Sequence, residues 1–589
     1  MQLTMKATLS WILLASAAKV GCESFDYIIA GAGTCGLVLA NRLSEDPNVR
    51  VAVIEPGGDV RNNINVTDVT RFLRAFGTPI DWQYTMTPQP GANNRTLEYH
   101  AGKAIGGTST INGMTYIRGD KAEFDAWETL GNEGWNWESL YPYFKGVERF
   151  TYPTAAQIAA GASFNSEYHG EDGPLTTGFP FELLNGSFYR KAQAAWQTLG
   201  YPLNPDVNGG NTSGFSIWPQ TLDRDANIRE DAARAFYYPI EQRPNFKIIR
   251  GTVTKVTWAN SSTNGLLTAD GVEYRDSNKN ETITVGAARE VLLAAGSLRT
   301  PLILERSGVG NPNILKKFGI ETKIELNGVG ENLIDQPNTS LEYSSSVNST
   351  GTMPYATFVT AQDIFGTQTS MVADEIHSKI PEYAQKVSDA NGGAITPSQL
   401  EKIFQIQHDL IFNKHVTIAE SLTSGAGNIL ISAFWTLLPF SRGSVHMTSA
   451  QDIDDQAIAI DPKYFDIDFD LAVQTGVGRI SQELWYTEPI SGLVASYLVP
   501  GDAELPRNAS DAQWAKALGS LLTANHHALG TASMMPRELG GVVNPSLQLY
   551  GASNVRIVDA SVLPTQISGH LTATLYAVAE RAADLMKNS

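Results

Sequence analysis

The sequence predicts an α/β fold with a parallel sheet at its centre, and three observations predict it. A short apolar run, Tyr27–Ala30, passes directly into Gly31-Ala32-Gly33-Thr34-Cys35-Gly36 and then into the apolar stretch Leu37–Ala40. A second apolar run, Val49–Ile54, follows and ends on Glu55. Far along the chain, Glu290–Ala295, Val555–Asp559 and the helically spaced Thr572–Met586 look like returns to the same layer. Short apolar runs bounded by glycine read as buried strands, and strand, helix and strand in this succession make a βαβ unit.

The elements follow in chain order. Lys6, the apolar stretch Leu9–Ala18 and the small residues after it read as a secretory leader over residues 1–22, cleaved between Ala18 and Ser24. The alternative is a buried N-terminal helix. The leader is too short to span a bilayer, and no other run is long enough, so no membrane partner is expected. Asn65, Asn94, Asn185, Asn211, Asn260, Asn280, Asn338, Asn348 and Asn508 each begin N-x-S/T, which supports a secreted, N-glycosylated protein. The only cysteines are Cys22 and Cys35, so there is no disulfide framework. The net charge of −18 disfavours phosphate backbones and argues against a nucleic-acid partner.

Gly31-Ala32-Gly33-Thr34-Cys35-Gly36 fits G-x-G-x-x-G in the right setting, a Rossmann-type turn. Gly31 permits the tight turn, Gly33 lets the backbone approach a pyrophosphate, and Gly36 lets helix and strand pack closely. The free N–H groups at the helix start then meet the phosphates. Glu55 stands where a carboxylate accepts ribose hydroxyls. Cys35 reads as a small packing residue, and the pattern alone leaves NAD and FAD both open. The expected organisation is a discontinuous nucleotide domain, built from residues 23–60, 90–150, 220–340 and 524–589. A second domain from 61–89, 151–219 and 341–523, on a mixed or antiparallel sheet, covers the cofactor. It includes a helix over Pro397–Phe412.

Longer motifs name a family. Gly102–Asn112, continuing through Tyr116 and Gly119 to Asp125, resembles the first signature of the glucose–methanol–choline (GMC) oxidoreductases. Gly296–Pro301 through Ser307–Gly310 resembles the second, and Val329–Gln336 is similar to the family's G-x-N-L-x-D segment. His527-Ala528-Leu529-Gly530-Thr531 and Val558–Ser561 with His570 complete the set, which looks most like the fungal glucose oxidase and dehydrogenase group. The resemblance implies FAD, held by Gly31, Gly33, Thr34, Cys35, Gly36, Glu55, Thr108, Asn112, Gly113, Met114, Thr115, Val253, Asp559, Ala560 and Leu571. Covalent attachment is not implied, because Thr108 and Ser109 stand where the H-T attachment would be.

The resemblance also implies the chemistry: an alcohol loses its hydroxyl proton to a base and its carbinol hydride to flavin N5. Histidine is the natural base near neutral pH. His527 matches the family base at H-x-x-G-T and His570 its partner; alternative register leaves some room for His526. Glu420 resembles the glutamate that orients the second histidine, with a surface glutamate as the alternative. Tyr84, Glu420, Thr523 and Asn525 are the expected substrate-side residues. His100, His169, His377, His408, His415 and His446 carry no motif.

One departure matters. Sugar-oxidising relatives have arginine four residues before the catalytic histidine, and here Thr523 stands there. Threonine cannot replace a planar five-donor fork. The loss is on the order of 2–4 kcal/mol for a polyol, so a less hydroxylated alcohol, such as a secondary-metabolite intermediate, is the expected substrate. A sugar oxidase or dehydrogenase, a lyase keeping FAD as scaffold, and a binding protein with a dead site are the alternatives; intact His527 and His570 argue against the last. The expected partners are a small-molecule alcohol and oxygen or another acceptor, with no metal; the oligomeric state is open, a homodimer included.

Overall fold

The computed structural model describes residues 24–184, 188–349, 355–453 and 456–588. The expected leader, Cys22 and Asn185 lie outside the described residues.

The first sheet is parallel at its centre. Its order runs Phe246–Thr263, Val51–Glu55, Ser24–Ala30, Thr282–Leu293, Val555–Ile557, each pair parallel where they meet. Val51–Glu55 is buried along its whole length, as a strand covered on both faces must be. The far halves of Phe246–Thr263 and Thr282–Leu293 sandwich Leu266–Asp276 in an antiparallel meander. Helices Thr34–Leu43 and Leu571–Lys587 pack on each other, joining segments more than 500 residues apart in one layer. The sequence expectations for the strands at 27–30, 49–54, 290–295 and 555–559 all fall in this sheet.

The second sheet is antiparallel, in the order Val494–Val499, Pro337–Ser349, Thr417–Thr436, Tyr355–Thr360, Gly214–Ile217. The short strand Thr523–Ala524 adds to Pro337–Asn338. Alternation decides its faces. In Pro337–Ser349, Thr339 and Leu341 are buried, while Asn338 and Ser340 line the central cavity. Ile431, Ala433 and Trp435, two residues apart, join them on the cavity side. Helix Asp468–Leu484 packs against Thr417–Thr436. A helix does span Pro397–Phe412, with its proline at the first position, where a missing N–H costs nothing. The strand Pro337–Ser349 crosses the boundary expected at residue 340.

The structure corrects one sequon. Asn338 is in the cavity wall with its Nδ2 donating to Asn525 Oδ1 at 2.9 Å, so it is not a glycan acceptor. Asn94, Asn211, Asn260, Asn280, Asn348 and Asn508 are exposed.

Helix Thr34–Leu43 reaches its place only because Gly36 has no side chain. A Cβ there would stand 2.0 Å from the Gly31 carbonyl oxygen. Gly36→Ala is therefore expected to destabilise the fold by about 1–3 kcal/mol, the usual cost of forcing atoms into a packed site. A fall in the urea midpoint checks this; an unchanged midpoint would mean that helix and strand have room to separate.

Candidate active site

A cavity of about 1150 Å³ runs between the two sheets. Of the expected cofactor residues, Gly31, Gly33, Thr34, Cys35, Glu55, Thr108, Asn112, Gly113, Thr115, Val253, Asp559, Ala560 and Leu571 line it. So do His527, His570, Tyr84, Thr523 and Asn525. Three expected residues do not. Gly36 is turned onto Gly31, as described above. Met114 is buried among Val69 and Leu222, its backbone held at φ +63° by its N–H donating to Asn112 Oδ1 at 3.0 Å. Glu420, grouped with the substrate residues, lies behind His570, fully buried.

The nucleotide end is built from backbone. Gly33 caps helix Thr34–Leu43 with no side-chain cap and no acid in the first turn, so its N–H groups stay open towards the cavity. Gly107, at φ +55°, approaches so closely that a Cβ would lie 2.6 Å from Gly33 Cα. Glu55 closes this end. Its Oε2 accepts from Ala32 N at 3.0 Å and its Oε1 from Gly57 N at 2.7 Å. Burial pushes its pKa up to about 7, against the pull of those N–H groups, Arg250 and Arg299. Helix dipole, side-chain-free approach and buried acid fit an adenosine pyrophosphate.

Other expected contacts are spent on the protein itself. Asp559 accepts from Gly296 N, Thr300 Oγ1 and Ser561 N, which ties the second signature to the C-terminal strand. Asn112 Oδ1 accepts from Arg229 Nη1 at 2.7 Å and its Nδ2 donates to Thr572 Oγ1 at 3.1 Å. Cys35 donates to Leu575 O, and burial, then Asp559, raises its thiol pKa well above the ordinary value, so it stays protonated.

The opposite end holds two imidazoles with ring centroids 5.0 Å apart and planes at 80°. His527 Nδ1 lies 2.7 Å from Gln336 Oε1, whose amide is oriented by Nε2 donating to Leu437 O at 3.1 Å. Nδ1 therefore donates, and the lone pair of the neutral ring is on Nε2. Asn525 Nδ2, 3.0 Å from the same Nδ1, serves Gln336 Oε1 instead, also at 3.0 Å. Asp335 Oδ1 accepts from His527 N at 2.7 Å. Burial first, then His570 and His526, holds the His527 pKa well below the usual imidazole value, so the ring is neutral. His570 precedes helix Leu571–Lys587, and its Nε2 meets Glu420 Oε2 at 3.2 Å, leaving Nδ1 without a partner among the described residues. Burial raises the Glu420 pKa and His570 pulls it back. Trp218 and Trp435 flank His570 at 6.5 and 6.0 Å.

Sequence reasoning missed Asp335 and Gln336 as holders of His527, although both sit in the quoted Val329–Gln336 segment. It also missed Arg299, which lines the cavity over Trp82 with a buried Nη1 that has no partner among the described residues. Among the described residues no cluster of histidine, cysteine and carboxylates is suited to a metal. No helix among them is long and apolar enough to cross a membrane.

Glu55 yields a pH prediction. Ribose hydroxyls donating to it favour the ionised form, so binding lowers its pKa from about 7. FAD affinity of the apoprotein should therefore rise with pH through 7 and level off above it, and Glu55→Gln should remove that slope. Fluorescence titration with FAD checks it; a pH-independent wild type would remove Glu55 from the ribose.

Comparison with known proteins agrees with the geometry. GMC oxidoreductase family models match residues 25–338 and 439–579. The glucose oxidase-like protein fsoC of Humicola fuscoatra is 52% identical, over 98% of this chain and 99% of that protein. The glucose oxidase of Aspergillus carbonarius is 36% identical, over 97% and 94%. Among solved structures, an FAD-dependent oxidoreductase from Chaetomium thermophilum superposes with TM-score 0.86 at 29% identity, covering 96% of this chain and 99% of that one. A fungal aryl-alcohol oxidase superposes with TM-score 0.80 at 26% identity, covering 96% and 99%. With the glycine turn, the buried Glu55 and the paired imidazoles around one cavity, the chain belongs to the GMC oxidoreductases, FAD-dependent enzymes acting on CH–OH donors.

Proposed function

We propose that this protein oxidises a largely apolar alcohol rather than glucose, with His527 as the base. The observation that carries the base assignment is that His527 and His570 line one cavity, each with one ring nitrogen engaged and the other, Nε2 and Nδ1, without a partner among the described residues. His527 Nε2 takes the hydroxyl proton; His570 Nδ1, a second acceptor, competes for that single proton and so holds the O–H between the two rings. Gln336 and Asp335 fix the first ring, and Glu420 fixes the second. Bound FAD would supply the hydride acceptor; the residues from Gly31 to Glu55 and from Thr108 to Thr115 would hold it. Oxygen or another acceptor takes the electrons onward.

The substrate reading rests on Thr523. Its hydroxyl is turned to Asn338 O at 3.4 Å, so it offers a sugar no cationic fork. Arg95 does line the cavity, but its Nη2 donates to Gly519 O and Leu522 O and its Nε to Ala92 O. The walls nearby are Phe72, Leu73, Phe76, Trp82, Leu422 and Ile431. The aryl-alcohol oxidase likeness agrees with such walls. The exposed sequons support an exported glycoprotein acting outside the cell.

Three outcomes follow. His527→Ala should slow anaerobic flavin reduction by about 10²–10⁴-fold with FAD retained, the range for a lost general base; if His526→Ala does so instead, the base is His526. kcat/KM for glucose should lie at least ~10²-fold below that of the best alcohol in a broad panel, as an unmade charged hydrogen bond predicts; glucose as best substrate would refute this reading. Glycosidase treatment of the protein from a eukaryotic host should lower its mass, with occupied sites among the six exposed asparagines and none at Asn338.

A further inference from the structure

A second imidazole pair lines the same cavity. His100 and His526 have ring centroids 5.2 Å apart, and Phe76 stacks on His100 at 4.2 Å. The catalytic reading uses neither.

Each ring has one nitrogen committed. His100 Nδ1 lies 2.7 Å from Asp81 Oδ2. Asp81 is a buried carboxylate that also accepts from Gly77 N, Gln83 N and Ala101 N. Burial raises its pKa, but His100 and the N–H groups outweigh this and hold it below the usual carboxylate range. Asp81 thus accepts a hydrogen bond from His100 Nδ1–H, and in the neutral form of that ring the lone pair is on Nε2. His526 is the reverse. His100 N donates to His526 Nδ1 at 3.3 Å, so that nitrogen carries the lone pair. Burial, then His100, pushes the His526 pKa down to about 3, so the ring is neutral and its proton is on Nε2. His526 Nε2–H has no partner among the described residues. The exposed Glu98 lies 3.8 Å from His100 Nε2, beyond hydrogen-bond length.

His526 also has a left-handed backbone, φ +62°. Such a conformation costs a non-glycine residue on the order of 1–3 kcal/mol and concentrates at functional positions. Here it accompanies two successive histidines with different neighbours: His526 against Phe76, Tyr99 and His100, His527 against His570.

We propose that His100 and His526 read a second hydroxyl of the substrate, remote from the carbinol, His526 Nε2 donating to its oxygen and His100 Nε2 accepting its proton. A hydroxyl is the group that satisfies both atoms. A carboxylate has no proton for His100 and meets Asp81 and Glu98; an ammonium has no lone pair for His526. The substrate class is an aromatic or similarly apolar alcohol with one additional hydroxyl, held between the apolar walls. This rests on the non-sugar reading above.

The test uses the FAD-loaded enzyme and anaerobic flavin reduction. The probes are meta- and para-hydroxybenzyl alcohol, each against the matching methylbenzyl alcohol. Wild type should prefer a hydroxylated member by ~10–100-fold in kcat/KM, the worth of one or two neutral hydrogen bonds. The preference should appear in KM, because a remote group binds ground and transition states alike. His100→Phe, and His526→Gly, which accepts the positive φ, should each bring the ratio towards 1. A wild-type ratio near 1, or an unchanged ratio in both variants while the benzyl alcohols still reduce the flavin, overturns the pair alone. Glucose reducing the flavin while no benzyl alcohol does would bring down the non-sugar reading and this inference with it. A variant that failed to fold would leave the wild-type ratio and the other variant to decide.

Discussion

The structure depends on backbone segments coming closer than any side chain would allow. Gly36 lies on the Gly31 carbonyl, and Gly107 lies on Gly33. These contacts bring the start of helix Thr34–Leu43 and the Gly102–Asn112 loop to the same end of the cavity. The helix start is then free of side-chain caps and open to a phosphate. Asp559 extends the seam, because its carboxylate joins Gly296 and Thr300 to the C-terminal strand. Segments as far apart as Gly31–Gly36 and Asp559 are thereby fixed around one site.

At the other end the organising device is the assignment of one nitrogen per imidazole. Four histidines line the cavity, and each has one ring nitrogen held by the protein: His527 by Gln336, His570 by Glu420, His100 by Asp81, His526 by the His100 N–H. A histidine without such a partner can exchange tautomers, and its free nitrogen alternates between donor and acceptor. With the partner in place, each free nitrogen has a set character. Burial removes the charge as well, with His526 and His527 both shifted towards neutrality. The neutral His526 and His527 rings, with the apolar walls around them, suit an uncharged alcohol.

Much of this was legible in the sequence, and for physical reasons. The glycine turn, the strands on either side and Glu55 form a local pattern whose spacing is dictated by backbone geometry. The alanine-rich Thr572–Met586 stretch and the Pro397–Phe412 helix were legible from periodicity and a terminal proline. The signatures placed His527 and His570 because each lies within a longer motif. Glu420 was ambiguous, since a glutamate in an Ile-Ala-Glu stretch reads equally well as exposed; its full burial comes from its place on a strand paired with Tyr355–Thr360 and lying behind His570. Asn338 was misread as a glycan acceptor because a tripeptide says nothing about which face of a strand it occupies.

The sequence by itself determined the fold class, the glycine turn and the positions of the two proposed catalytic histidines, because these are written in residues adjacent or regularly spaced along the chain. Tertiary structure decided the chemical character of each imidazole. The partners of His527, His570 and His526 lie 191, 150 and 426 residues away. No local pattern encodes such pairings; they arise when an antiparallel sheet and a parallel sheet close on one cavity. Tertiary structure also set the polarity of the cavity, by turning Thr523 to Asn338 and spending Arg95 on backbone carbonyls. A residue's type is fixed along the chain, but its protonation and its free atoms depend on neighbours that only folding supplies.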